Sequence, residues 1–451
     1  MIDNKVCTGA CLFGKCPYKT CIKYQQGNIH KPARADMSIL TSGNLPRMKT
    51  GKSGFGIAVD IGTTTVAAYL YDFEKGECID IASTINPQIS FGLDVISRIK
   101  YCRDKKGGLY ELQSAVSTCI NDLYEKLCAQ HGIGILQVSA ISITGNTTML
   151  HLLAAVDPSS MGHAPFDVSD HFGYKIRADQ IGLIGQSSVY LTRCITAFVG
   201  GDITSAILSS DMRQNSVSLL LDIGTNGEVA LHAHGEILVS STAAGPAFEG
   251  SELSCGMAAV SGAINSVYAF DGAIHTTVIG DKPPAGICGS GVIDAIALMK
   301  TSGAMDETGR IKDSPYTVIV DNAPAFVVTE DIYITQRDIR RIQTAKSAIA
   351  AGVLALIHSA GLKPKDITQV YLAGGFGNYM DEENAITVGL LAGEFRKIIK
   401  NIGNAAGVGA GMTLLSDEYL NECKRIADAS RHIDLGTNAY FMEKYVDCMM
   451  F

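Results

Sequence analysis

The sequence predicts an α/β protein built from two similar lobes, and two observations carry that expectation. The phrase Asp60-Ile61-Gly62-Thr63-Thr64-Thr65 returns 162 residues later as Asp222-Ile223-Gly224-Thr225-Asn226-Gly227-Glu228. The order of segments around each copy also repeats: three strand-like runs, a helix, a strand ending in a Gly-containing turn, and a further helix. With 451 residues, the chain exceeds one ordinary core and suits two or three domains.

Taken in chain order, residues 1–21 form a Cys-rich head, and residues 22–54 read as a polar linker punctuated by Gly27, Pro32, Gly43, Pro46, Gly51 and Gly54. The first lobe, 55–212, opens with strands at about 56–61, 65–72 and 77–85, the last two separated by turn chemistry between Asp72 and Gly76. Residues 108–130 then place Leu109, Leu112, Val116, Ile120, Leu123 and Leu127 at helical spacing. The apolar run 138–144 ends in Gly145-Asn146-Thr147-Thr148, a strand feeding a helix N-terminus. In the second lobe, 213–451, strands at about 217–222, 228–233 and 236–241 precede a Gly-rich insertion at about 243–335. A helix at about 336–361 carries Ile339, Ile342, Ile349, Val353 and Leu356, and the strand 369–372 runs into Ala373-Gly374-Gly375-Phe376-Gly377.

Each copy of the doubled phrase lies between two apolar runs and so reads as a hairpin. At its tip sit a carboxylate able to hold hydrated Mg²⁺, a Gly that lets backbone N–H groups approach an anion, and hydroxyls that donate to phosphate oxygens. One such copy is equally an ordinary hairpin turn. Two copies in matching contexts point to facing phosphate loops across a cleft between the lobes.

Composition narrows the class. A hydrophobic share of 47% with 18% charged residues describes a well-buried globular chain, and a net charge of −8 argues against a nucleic-acid surface. No run approaches the ~18 apolar residues of a membrane span, and the N-terminus has no signal-peptide core. A cytoplasmic protein is expected, and there thirteen cysteines argue against a disulfide framework.

Four of those cysteines, Cys7, Cys11, Cys16 and Cys21, have the spacing Cys-X3-Cys-X4-Cys-X4-Cys of metal ligands. Thiolate-only ligation suits zinc or an iron–sulfur cluster. Without paired Cys-X2-Cys knuckles the spacing favours a 4Fe–4S cluster, with zinc or no metal as alternatives. The remaining cysteines read as small core residues, with Cys255 and Cys288, in Gly-rich loops, more open to a site role.

The set Asp60 to Thr65, Thr144 to Thr147, Asp222 to Gly227 and Gly374 to Gly377 resembles the first phosphate, first connection, second phosphate and adenosine motifs of the ASKHA superfamily of acetate and sugar kinases, heat-shock chaperones and actin. Asn404-Ala405-Ala406-Gly407-Val408-Gly409-Ala410 occupies the place of the second connection. The resemblance implies two ribonuclease-H-like lobes with ATP and Mg²⁺ between them, Asp60 and Asp222 being the catalytic carboxylates. It implies ATP contacts from Gly62, Thr63, Thr64, Thr65, Thr144, Asn146, Gly224, Thr225 and Asn226, while Asp202, where Gly200-Gly201-Asp202 begins a helix, reads either as a helix cap or as a group near the metal. Gly245, Glu249, Gly289 and Ser290 of the insertion loops, and Gly374, Gly375 and Phe376, complete that set, beside a reading of these loops as plain turns.

The running text is more specific. Asn86-Pro87-Gln88-Ile89-Ser90-Phe91-Gly92-Leu93-Asp94-Val95-Ile96-Ser97-Arg98-Ile99, Gly145-Asn146-Thr147-Thr148-Met149, Leu221 to Glu228 and Leu372 to Gly377 together resemble the reductive activators of corrinoid enzymes. Those proteins use ATP to drive an electron from an iron–sulfur centre onto Co(II) of a corrinoid protein, giving Co(I). The resemblance therefore implies a corrinoid partner, an external low-potential reductant and a homodimer. Familiar members carry a plant-type 2Fe–2S domain or a C-terminal cluster region, whereas this chain shows only the four-cysteine head. A nucleotide-switched remodelling module without its own redox centre and a small-molecule kinase on the same fold are the competing readings.

Overall fold

The computed structural model describes residues 45–250, 252–377 and 380–451, so Cys7, Cys11, Cys16 and Cys21 and residues 22–44 of the expected linker lie outside the described residues. The described end of that linker lies against the first sheet: Met48 N–H donates to the Gly76 carbonyl at 2.8 Å, and Leu45 and Met48 pack beside Tyr69 and Tyr71.

The first half contains β1 (Phe55–Ile61), β2 (Thr65–Asp72), β3 (Glu77–Ile85), α1 (Val95–Asp104), α2 (Gly108–Gln130), β4 (Val138–Gly145), α3 (Thr147–Leu153), β5 (Tyr174–Arg177), β6 (Ser188–Leu191) and α4 (Gly201–Ser209). Asp72 closes the β2–β3 turn by accepting the N–H groups of Glu74 and Lys75, each at 3.0 Å. α1 starts at a reciprocal cap between Asp94 and Ser97. In α2, Leu112, Val116, Ile120, Leu123 and Leu127 are buried against the sheet, each contributing about 2 kcal/mol of apolar burial.

The second half contains β7 (Val217–Ile223), β8 (Gly227–Ala233) and β9 (Glu236–Thr242), then an insertion of β10 (Ala263–Phe270), β11 (Ala273–Val278), β12 (Gly286–Ile287), α5 (Gly289–Thr301), β13 (Thr317–Val320), β14 (Ala323–Val327) and β15 (Tyr333–Thr335). There follow α6 (Gln336–Ser359), β16 (Gln369–Ala373), α7 (Gly374–Gly377), α8 (Glu382–Val388), β17 (Ile399–Gly403), α9 (Ala405–Leu415), α10 (Asp417–Ala429), β18 (Ser430–His432) and α11 (Ala439–Asp447). Thr335 and Asp338 form the box that starts α6, and all five of its expected core residues are buried.

The sheets run β3-β2-β1-β4-β6-β5 and β17-β16-β7-β8-β9-β18. Outward from the central strands, β3-β2-β1-β4-β6 and β9-β8-β7-β16-β17 match in order and in strand sense. The duplication expected from one phrase is thus a duplication of topology. The insertion supplies two small three-stranded sheets and α5, packed into the second core.

One arrangement was not foreseen. α4, from the first half, packs Ile203, Ala206 and Ile207, with Val199 just before it, into the core formed with Leu220, Ala230, Val239 and Tyr371 of the second sheet. α9, from the second half, packs Ala410 and Leu414 against Ala58, Ala67 and Tyr69 of the first sheet. The two helices cross so closely that a Cβ on Gly409 would lie 2.3 Å from the Ser205 carbonyl oxygen. Each half thus lends a helix to the other. Among the described residues no helix is long and apolar enough to cross a membrane, and the nine described cysteines are free thiols.

Candidate functional site

Both Asp-Ile-Gly phrases end a central strand. Asp60 pairs with Ala67 across the first hairpin and lies beside Thr144 on the parallel strand; Asp222 pairs with Glu228 and lies beside Ala373. Gly62 N–H bonds the Thr65 carbonyl at 2.8 Å, and Gly224 N–H the Asn226 carbonyl at 2.9 Å, so each tip is a tight turn. Both carboxylates stand where parallel and antiparallel neighbours diverge, the crevice that α/β sheets offer to ligands.

Contacts between the halves join the tips. Asn404 caps α9 by accepting the Gly407 N–H at 2.8 Å and donates its amide to Asp60 Oδ2 at 2.8 Å. Thr64 Oγ1 donates to Glu249 Oε2 at 2.7 Å. Glu249 arrives on the turn from Gly245 to Gly250, both glycines having positive φ, 75° and 79°; a Cβ on Gly250 would lie 2.1 Å from the Met257 carbonyl oxygen. Asp202 lies in the first turn of α4 and accepts the Ile203 N–H at 2.8 Å.

These carboxylates burden one another. Burial, the largest cause, pushes Asp60 up to about 6 against the bond from Asn404. Burial and then Asp222 push Asp202 up to about 7, and burial followed by Asp60 and Glu249 pushes Asp222 up to about 7. Glu228 is raised well above the usual carboxylate range by burial, then Asp202 and Asp222. Burial also raises Glu249, opposed by the Thr64 hydroxyl. All five residues keep partial solvent exposure, so they line a cleft rather than fill a core. An oxygen-only, mutually repelling donor set fits a hard divalent cation such as Mg²⁺. Among the described residues no three His, Cys, Asp or Glu side chains are grouped to hold a metal ion directly.

The other expected residues divide. Thr63 Oγ1 accepts from Asn146 Nδ2 at 3.1 Å, and Asn146 Oδ1 caps α3 by accepting the Met149 N–H at 2.9 Å. Gly224 lies beside Glu249, a Cβ there falling 3.4 Å from Oε1. Thr65 closes the first turn through its carbonyl, and Thr225 and Asn226 form the second tip. A Cβ on Gly245 would meet nothing within 4 Å beyond its chain neighbours. Thr144 is fully buried with its hydroxyl 2.9 Å from that of Ser205, so it ties β4 to α4. Gly289 and Ser290 start α5, and the Ser290 hydroxyl donates to the Asn265 carbonyl at 2.8 Å, inside the insertion. Gly374 and Gly375 open α7 with the Phe376 backbone next, the Phe376 side chain lying outside the described residues.

Glu228, Asn404 and Arg98 were missed as site residues. Glu228 carried a signal, since a carboxylate directly across a two-strand pairing from Asp222 shares its neighbourhood. Asn404 opens the run that resembles the second connection and Arg98 lies in the activator-like run, but no local pattern says that they reach the first hairpin from 344 and 35 residues away.

Gly374 has φ of 83°, and a Cβ there would meet Asp222 Oδ1 at 2.4 Å. Gly374→Ala is therefore expected to displace either the turn or the Asp222 carboxylate and to weaken MgATP binding by about tenfold or more in a calorimetric titration.

The profile described as the RACo middle region matches residues 55–215, and that of the C-terminal domain of RACo, the ASKHA domain, matches 216–451. The chain is 35% identical over 440 residues to the corrinoid activation enzyme RamQ of Eubacterium limosum, covering 92% of this chain and 74% of that protein. It is 24% identical over 429 residues to the [Co(II) methylated amine-specific corrinoid protein] reductase of Methanosarcina barkeri, covering 87% and 76%. A solved reductive activator for corrinoid, iron–sulfur protein superposes with a TM-score of 0.80 at 35% identity, over 88% of this chain and 66% of that one. The chain thus spans just under two thirds of that structure's length.

Proposed function

Because the chain belongs to the RACo family of ASKHA proteins, we propose that it is an ATP-dependent reductive activator that returns the Co(II) of a corrinoid protein to Co(I). The observation that supports this reading best is the convergence of Asp60, Asp202, Asp222, Glu228 and Glu249 between two Gly-containing hairpins. Phosphoryl transfer to water needs positioning and charge neutralisation more than covalent chemistry. In this reading residues 55–212 and 213–451 are the two lobes, with an insertion at about 243–335, and the head at 1–21 is joined by a linker at 22–54.

Asp60 and Asp222 would hold Mg²⁺ and orient the attacking water, with Asp202 and Glu228 next to them. The hydroxyls and N–H groups of Gly62, Thr63, Thr64, Thr65, Gly224, Thr225 and Asn226 meet the phosphates. Asn146 orients Thr63, while Gly374, Gly375 and Phe376 receive the base and ribose. Thr144 fastens the first connection, and Gly245 and Glu249 close one end of the cleft. Gly289 and Ser290 act at a remove, by seating the insertion. Mg²⁺, when bound, neutralises the β- and γ-phosphates.

The cysteines Cys7, Cys11, Cys16 and Cys21 would hold an iron–sulfur cluster of the 4Fe–4S type, which would supply a one-electron donor refilled by an external low-potential reductant. For one electron, each 59 mV of uphill gap to cobalt corresponds to about 1.4 kcal/mol, so a nucleotide-driven change of lobe contact is a sufficient drive only if the two nucleotide states bind the partner differently. The protein works in the cytoplasm, and a homodimer suits the family.

The test is a coupled assay. Corrinoid protein in the Co(II) state, reductant, MgATP and this chain are mixed anaerobically, and the Co(I) absorption is followed. Reduction that requires ATP and is lost in Asp60→Ala is the expected result. Equal Co(I) formation without ATP would refute the coupling.

A further inference from the structure

Arg98 is 0% exposed, an unusual place for a guanidinium. It donates to the Thr63 carbonyl at 2.6 Å, the Gly92 carbonyl at 2.9 Å, Gln88 Oε1 at 3.2 Å and Met149 Sδ at 3.1 Å. Burial lowers its pKa only to about 10, so it stays charged at neutral pH. Desolvating a charge is expensive unless every donor finds work. The strongest of these bonds goes to the tip of the first hairpin.

Asn86 works on the same turn. Its Nδ2 donates to the Gly62 carbonyl at 2.9 Å, and its N–H to the Thr64 carbonyl at 2.8 Å. With Gly62 N–H on the Thr65 carbonyl, the four successive carbonyls of Gly62, Thr63, Thr64 and Thr65 are all engaged by protein donors. Gln88 ties the group together: its Oε1 accepts from both Arg98 and Asn86, and its Nε2 donates to the Leu112 carbonyl of α2 at 2.9 Å. The brace is thereby anchored in the core of the first half.

The consequence follows from the geometry of a peptide. A flip of one peptide at the tip would exchange an N–H for a C=O, turning a surface that attracts an anion into one that repels it. Glycine at position 62 makes such a flip inexpensive. Carbonyls bonded to Arg98 and Asn86 cannot rotate without breaking those bonds. A charge-assisted bond to the Thr63 carbonyl also polarises the Thr63–Thr64 peptide, which sharpens the Thr64 N–H as a donor.

We propose that Arg98, with Asn86 and Gln88 around it, is a positioning residue that keeps the carbonyls of the first hairpin turned away from the cleft, so that a nucleotide phosphate meets donors only. The inference deepens the nucleotide reading above and rests on it. Arg98 touches no substrate in this scheme and acts through the peptide it holds.

The test uses the full chain and three variants, with steady-state ATP hydrolysis and titration by MgATP as readouts. R98K keeps the charge but not the fork that spans four acceptors, R98M keeps the length and removes the donors, and N86A removes the Gly62 bond without disturbing a buried charge. The expected result is a rise of about tenfold or more in KM and Kd for MgATP in R98M, with smaller rises in R98K and N86A and kcat within about threefold of the parent. Y124F, which removes a buried hydroxyl bonded to the Ile135 carbonyl at 2.9 Å, is the reference for simple destabilisation and should lower Tm without moving KM. Unchanged KM in folded R98K and N86A overturns the brace while leaving the cleft standing. A parent chain that binds no MgATP overturns both. If R98M does not fold, R98K and N86A decide.

Discussion

Asp222→Asn is expected to stop ATP hydrolysis and, at the same time, to stabilise the ligand-free protein. Loss of one carboxylate proposed to position the metal and the water should reduce turnover by at least about a hundredfold. The gain in stability comes from the same electrostatics. Asp222 has its carboxyl pushed up to about 7 by burial, Asp60 and Glu249, while in the unfolded chain it ionises near 3.8. Between those values the folded state binds more protons than the unfolded one, so stability falls as pH rises from about 4 to about 7, and the cost is fully present at pH 8. Asparagine has no such cost. After allowance for the solvent that Asp222 still touches, the gain at pH 8 is on the order of 1–2 kcal/mol, vanishing at acid pH. Melting curves at pH 5 and pH 8, with and without Mg²⁺ and nucleotide, read it directly. In the parent protein the stabilisation by Mg²⁺ should grow over the same interval, because only ionised carboxylates attract the cation. A less stable variant that still turns over ATP would place Asp222 outside the reaction.

Cys11→Ser and Cys16→Ser are expected to remove the iron–sulfur chromophore and abolish Co(I) formation while leaving ATP hydrolysis intact. Anaerobically purified parent protein should be brown and contain about four iron atoms per chain with matching sulfide. Each serine variant replaces a thiolate with a much poorer ligand for iron, and a 4Fe–4S cluster depends on four such thiolates. The separation of the two activities is the informative part, because the head and the ATP cleft are distinct in sequence. A colourless parent that contains zinc, or no metal, would mean that the electron reaches cobalt from an external donor, with this chain supplying only the nucleotide switch.

Much of the fold was legible in the sequence because its signals are local. The helical spacing of Leu112 to Leu127 and of Ile339 to Leu356 marked α2 and α6, and the structure buries those faces. The doubled phrase marked the tips of β1–β2 and β7–β8. Short elements such as β5, β18 and α8 carried no comparable period. The candidate site was legible in part for the same reason: Asp60 and Asp222 end strands beside Gly-containing turns, and Thr63, Thr64 and Gly374 sit in turns whose chemistry is written in consecutive residues. Glu249 was placed from its Gly-rich turn, although its bond to Thr64 spans 185 residues. Ser290 had the same kind of turn, yet its hydroxyl faces the insertion. A turn motif reports backbone shape and says little about which way the turn is aimed.

By itself, then, the sequence determined a doubled α/β unit, two phosphate-type hairpins and the kin to which they belong, because period, turn residues and motif spacing are properties of short stretches. Only the tertiary structure decided that α4 and α9 exchange places between the halves, that Asn404 and Glu249 reach across to the first hairpin, and that Arg98 is buried beneath it. Those contacts join residues far apart in the chain. They exist because two sheets, each with an apolar face and a charged tip, must bury the one and balance the other against the same neighbour.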